Sequence, residues 1–399
     1  TGISGVPATV AAGTLLLNGT VAPANATNQT IVWTVKSAGT TGATITGGST
    51  LSATAAGTAT VTATITNGLT DTTDYTQDFN ITVTTKAEDL AASLNSIGLT
   101  ASANGDTVTV TGEHSGPLTL TVDSGLMLEW DAGISGSSAG PLLTVNGGGT
   151  LEVGEGAYVT NSSGDGIASD GNVIINGGEI IANGNDATAI STPGNVEVHG
   201  GNISANGDNG TAIDAGGNVE VSGGLVSANG SGGTAVDANG ASSHITLDGD
   251  AAIVSYQGIT ATNGVTADNG ILIQGLTGTV YGNVALDFDL AIDAGVTLGI
   301  PSGAALINNA NLTVNGTLDN GGEIDNYGVI GGSGTIDNTN GTMNNHGEIM
   351  DSVSVAGGSI TKGDSSGCST GAAGLVGLAA LSGIAVTRRT GKQRKQNKK

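Results

Sequence analysis

Apolar positions in this chain recur at a fixed interval. Ile167, Ile190, Ile213, Val236 and Ile259 follow one another every 23 residues. Val173, Val196 and Val219 keep the same interval, as do Ile180, Ile203 and Val226. The pairs Gly177–Gly178, Gly200–Gly201 and Gly223–Gly224 fall at one place in each unit. A period of this size predicts a solenoid. Short apolar alternations between Gly and Asn turns predict strands rather than helices. The unit 194–216 divides into strands at Val196–Val198, Asn202–Ala205 and Ala212–Asp214. Side chains alternate along a strand, so Val196 and Val198 face inward while Glu197 faces out. Coils stacked at about 4.8 Å set each residue over its counterpart one period away. The expected inner columns are Leu151/Val173/Val196/Val219/Ile245, Val153/Ile175/Val198/Val221/Leu247 and the Ile167 series. One coil buries too few aliphatics to offset the ordering of its own backbone, so neighbouring coils must cover its faces.

The rhythm changes twice along the chain. Residues 1–85 are Thr-rich and alternate without the period: Ile31, Trp33 and Val35, then Ala59, Val61, Ala63 and Ile65, then Phe79, Ile81 and Val83. They predict a small antiparallel sandwich with Trp33 in its core. Residues 86–106 hold a helix and linker, with Leu90, Leu94 and Ile97 on one face. That helix is expected to cap the open end of the coils. Coils are expected over 107–362. Toward their end Leu318, Ile324, Ile330, Ile336, Met343 and Ile349 step at six or seven, which predicts a narrower coil. Asn183, Asn206 and Asn229 recur in Ala-Asn-Gly triplets and predict a buried asparagine ladder at a corner.

Composition sharpens this all-β picture. Glycine makes up 70 of 399 residues with only 6 Pro, which suits tight turns without a collagen period. The net charge is −24. Between Glu88 and Thr361 there are 30 Asp or Glu and no Lys or Arg. Such a shaft does not hold nucleic acid. It repels acidic polymers unless a divalent cation bridges them. A single cysteine, Cys368, allows no internal disulfide. No signal peptide is visible, and the sequence opens strand-like at Thr1, as expected of a mature chain or a fragment. Residues 363–399 close the sequence as a motif, an uncharged span at 368–386 and a basic end with seven Lys or Arg. The span can just cross a bilayer, with the basic end cytoplasmic.

Several segments resemble known families. The coils resemble a right-handed parallel β-helix of the pectate-lyase-like type. The segments GVPATVAAGTLLLNGTVAPANATNQTIVWTV, ATAAGTATVTATITNG and YTQDFNITV resemble group 2 bacterial Ig-like domains, which implies a spacer or adhesion module on an exported bacterial protein. The segments GTLDN, GEIDN and GTIDN resemble adhesin-like passenger repeats. The tail resembles bacterial C-terminal sorting signals of the Cys-bearing Synergist type, which implies processing or lipid attachment at Cys368 and a membrane-anchored cell-surface location. Residues DGIASDGNVIINGGEI and the coils after them resemble bacterial β-helix carbohydrate-binding domains linked to calcium and acidic polysaccharide. That likeness implies Asp165, Asp214 and Asp237 as ligand or calcium-binding residues. In the register of Asp214, however, the earlier coils carry Ala168 and Ser191.

Motifs for chemistry are few. There is no CxxC, HExxH, GxSxG or P-loop, and the four histidines are scattered. GGSGTIDN at 331–338 misses a calcium nonapeptide because Ile336 stands where an Asp is required. A polysaccharide lyase needs a base that the shaft lacks. Glycoside hydrolysis needs two carboxylates, and Glu197 with Glu220, or Asp214 with Asp237, share a register on adjacent coils. Stacked carboxylates repel, and calcium relieves that repulsion. The expectation is a non-enzymatic bacterial surface protein, structural or adhesive. The alternative is calcium-assisted binding of an acidic glycan, and a glycoside hydrolase ranks below both. Its partners would be the cell envelope and an extracellular glycan or a neighbouring cell.

Overall fold

The computed structural model describes residues 2–358 and 360–362. The tail with Cys368, the 368–386 span and the basic end lies outside them. The described chain is all-β, dominated by a right-handed-type solenoid of about 11 turns.

Residues 2–84 form their own core. The strands Val32–Ser37, Gly57–Thr70 and Thr73–Thr84 pair antiparallel. Ala59, Val61, Ala63 and Ile65 bury every second position of the long central strand, as its alternation predicts. Trp33 is buried there, tilted against Phe79 with ring centroids 6.0 Å apart.

The helix runs Lys86–Ser96. Thr85 caps it: its hydroxyl accepts the Glu88 N–H, and the Glu88 carboxylate accepts the Thr85 N–H at 2.8 Å. Ala87, Leu90, Ala91 and Leu94 pack into the same core as Val108 and Val110 of the first coil. Ile97, expected on that stripe, is 44% exposed. The helix ends one residue earlier, and Ile97 as C-cap has left the helical path.

The first stack of coils runs from Thr107 to Gln274. Its registers follow the predicted columns. Val173 pairs with Val196 and Val196 with Val219, while Ile190 pairs with Ile213 and Ile213 with Val236. All of these side chains are buried. The second stack, Thr277–Lys362, has the shorter step. Leu298, Leu318, Ile336 and Val355 form one wall, and Leu306, Ile324, Met343 and Ile360 another.

The single run of coils expected over 107–362 is instead two stacks, which do not form one continuous tube. Strand Gly270–Gln274 meets Thr277–Tyr281 in an antiparallel hairpin, so the chain reverses direction. Leu272 packs on the first core, whereas Ile271, Ile273 and Val280 belong to the second. In strand Ile245–Ser255, Ala251 and Ile253 face the first core while Ala252 and Val254 face the second. The second core therefore lies on the opposite face of the shared sheet. Reversing both strand direction and inner face keeps the winding hand unchanged.

Candidate functional site

The polar residues singled out in sequence lie on the outer walls and corners of the first stack. At one corner, the Asn206 amide donates to Asn183 Oδ1 at 2.9 Å, and the Asn229 amide to Asn206 Oδ1 at 2.8 Å. The ladder forms as expected but is exposed, not buried. The inward position beside each is taken by Ala182, Ala205 or Ala228, which leaves the asparagine on the turn outside.

Buried asparagine ladders occur instead in the second stack. The Asn308 amide donates to Asn326 Oδ1 at 2.8 Å, and the Asn326 amide to Asn345 Oδ1 at 2.7 Å and to the Glu348 carbonyl at 3.1 Å. Asn320 donates to Asn338 at 2.7 Å. Asn308, Asn320, Asn326 and Asn338 are all buried. Their signal was present as an Asn closing each short segment (LIN, LDN, EIDN, TIDN).

Asp214 and Asp237 come together, paired across adjacent strands on an outer wall. Each has a carboxylate oxygen already engaged: Asn239 donates to Asp214 Oδ1 at 2.6 Å, and Thr260 to Asp237 Oδ1. Burial raises the Asp214 pKa above the ordinary aspartate range. The Asp237 charge adds to the rise, and the Asn239 hydrogen bond opposes it. Asp165 stands apart from this pair. The column of Asp214 runs Ala168, Ser191, Asp214, Asp237, Thr260. Asp165 precedes that strand, and its Oδ1 accepts the Thr188 N–H of the next coil at 2.8 Å. It serves the backbone ladder.

Glu197 and Glu220 are register partners on a second wall, both exposed. His199 Nε2 lies 3.8 Å from Glu197, and its Nδ1 is 3.0 Å from Asn176 Oδ1. Ile174 occupies their register one coil earlier and interrupts the acidic column.

Asp214 and Asp237 by themselves supply fewer oxygens than a calcium ion takes. Calcium takes 6–8 oxygens. Asp214 and Asp237 each keep one oxygen free of the hydrogen bonds described. Among the described residues no three His, Cys, Asp or Glu side chains converge as a metal cluster. Nor, among them, is any helix long and apolar enough to cross a membrane, and the 368–386 span lies outside.

Two features of the second stack escaped the sequence reading. Tyr327 and His346, on successive coils, stack with centroids 4.7 Å apart and planes 6° from parallel. On the same wall, a depression of 280 Å³ opens beside Glu323, between Ser302–Gly303 and Gly321–Gly322.

Fold and surface together define a β-solenoid protein with an acidic, hydroxyl- and amide-rich exterior. No protein-family model, curated protein or solved structure matches this chain.

Proposed function

We propose that this is a non-enzymatic bacterial cell-surface protein, structural or adhesive, whose solenoid is a rigid shaft. The observation that carries this reading is the run of about 11 coils in two stacks joined through one shared sheet, each stack with its own buried columns. At about 4.8 Å per coil it spans roughly 50 Å, with its polar groups spent largely on coil-to-coil hydrogen bonds. An Ig-like module at the N-terminal end acts as spacer or adhesion unit. The tail from 363 to 399, through the 368–386 span and processing at Cys368, holds the protein to the cell. The acidic exterior keeps so long a surface soluble. Fractionation of cells expressing the chain with and without 368–399 tests the anchor. The intact chain stays with the cells and the shortened one enters the medium, and equal release of both removes the anchoring claim.

The second reading, a calcium-bridged acidic glycan, rests on the Asp214–Asp237 pair, whose mutual repulsion a cation would relieve. A calcium titration followed by melting temperature decides it, since a ligand at 100 times its Kd adds about 2.7 kcal/mol. No shift at millimolar calcium removes it. Hydrolysis is supported least. It requires release of reducing ends from a polysaccharide and their loss in Asp214→Asn.

A further inference from the structure

We propose that the second stack carries a binding face for an uncharged oligosaccharide, on the wall formed by Asn283–Leu286, Ala305–Asn308, Glu323–Asn326 and Thr342–Asn345. At one edge of this wall lies the 280 Å³ depression. Asn283, Ser302, Glu323 and Thr342 give it amide, hydroxyl and carboxylate groups. The rest of its lining is Gly303, Ala304, Ala305, Gly321 and Gly322, residues with little or no side chain. A Cβ on Gly322 would lie 2.3 Å from the Ala304 carbonyl oxygen, so the close approach of the two coils there requires glycine. In the middle of the wall, Asn344 Nδ2 donates to Glu323 Oε1 at 3.2 Å and to Asp325 Oδ1 at 2.8 Å. One amide thus orients two carboxylates side by side. At the far edge stand the stacked Tyr327 and His346, with Tyr327 55% exposed. Tyr327 follows directly on the strand Glu323–Asn326, so it stands at most about 13 Å from Glu323.

This sequence of groups matches a sugar chain. Hydroxyls of a saccharide donate to the two carboxylates and exchange hydrogen bonds with the amides and hydroxyls of the depression, while the ring pair offers apolar surface with polar edges. The charge selects against anionic sugars. No Lys or Arg occurs between Glu88 and Thr361, so on these four strands uronates and sulfated sugars meet the Glu323 and Asp325 carboxylates of their own sign, and the first cationic residue, Lys362, comes one coil further on as the register partner of Asn345. The wall is distinct from the Asp214–Asp237 pair of the first stack.

The test is a binding titration of the full chain with uncharged oligomers of glucose, mannose and N-acetylglucosamine, and with uronate oligomers for comparison. The expected result is binding of at least one uncharged series and none of uronates. Glu323→Ala and Tyr327→Ala each weaken that binding at least tenfold, while Glu197→Gln leaves it unchanged. All three positions are exposed, and circular dichroism with thermal melting checks that the fold is kept. Should Tyr327→Ala lose its fold, Ser302→Trp fills the depression from an exposed turn and abolishes binding in its place. The proposal is overturned if no uncharged oligomer binds at millimolar concentration, if Glu323→Ala and Ser302→Trp bind like the native chain, or if uronates bind more tightly. Shaft and anchor are read by cell fractionation, so a failed titration leaves that result standing.

Discussion

Truncating Asn326 to alanine should destabilise the second stack far more than the same change at Asn206 destabilises the first. Both residues belong to asparagine ladders, but only one is buried. Asn326 is 0% exposed and makes three side-chain hydrogen bonds, to Asn308, Asn345 and the Glu348 carbonyl. At about 0.5–1.5 kcal/mol each, their loss amounts to roughly 1.5–4.5 kcal/mol. Asn308 keeps its bond to the Val329 carbonyl at 3.3 Å, whereas the Glu348 carbonyl loses its Asn326 donor. A value near 3 kcal/mol is therefore expected, which is about a hundredfold in an opening equilibrium. Asn206 makes two ladder bonds at an exposed corner, where water replaces the lost partner. Its truncation should cost below about 1 kcal/mol. Hydrogen exchange reads each stack separately, through the amides of Ile324 and Met343 in one and of Ile203 and Val226 in the other. Equal loss of protection in the two variants, or a change under about 0.5 kcal/mol for Asn326→Ala, would refute the distinction between the ladders.

Other consequences are open to measurement. The raised pKa of Asp214 means that the folded chain holds this proton more tightly than the unfolded one. Its contribution is then most favourable below the unfolded value near 3.9 and is lost as pH rises from there through the folded value. Asp214→Asn should flatten that decline and raise the melting temperature at pH 7, and a lower one would contradict the assignment. A Cβ on Gly207 would sit 2.0 Å from the Gly184 carbonyl oxygen. Gly207→Ala should cost about 3 kcal/mol in urea melts, against under about 0.5 kcal/mol for Gly156→Ala, where nothing lies within 4 Å. Thr85→Ala removes the helix cap and should cost about 1 kcal/mol, detected as faster exchange at the first helical amides.

Much of the first stack could be read from the chain because its inner positions are aliphatic and its repeat barely slips. Val196, Ile203 and Ile213 stand where alternation and the 23-residue interval put them. The pairing of Asp214 with Asp237 followed from the same arithmetic. Asp165 did not, because it sits before the strand, where spacing no longer dictates which way a carboxylate turns. Burial of the asparagines was misjudged for a related reason. Asn206 follows the last inward residue of its strand, whereas Asn326 is itself that residue. The offset between the stacks had a signal too. Ala251–Ile253–Val254 is a continuous apolar run, and such a run marks a strand covered on both faces. The Tyr327–His346 contact has no comparable trace: its 19-residue interval is that of Ile324–Met343 and Ile330–Ile349, but the two rings belong to no repeated column that would have marked them as a pair.

The switch of faces at the hairpin also bears on how this polypeptide assembles. The later coils have no free-standing first layer. They begin on Leu225, Ala252 and Ile271, the outside of a wall that the earlier coils must already have built. Structure can spread along each half by nearest-neighbour contact, but the seam imposes an order: residues beyond Thr277 have no surface to condense on until those before it have closed. A chain that emerges N-terminus first meets that order naturally.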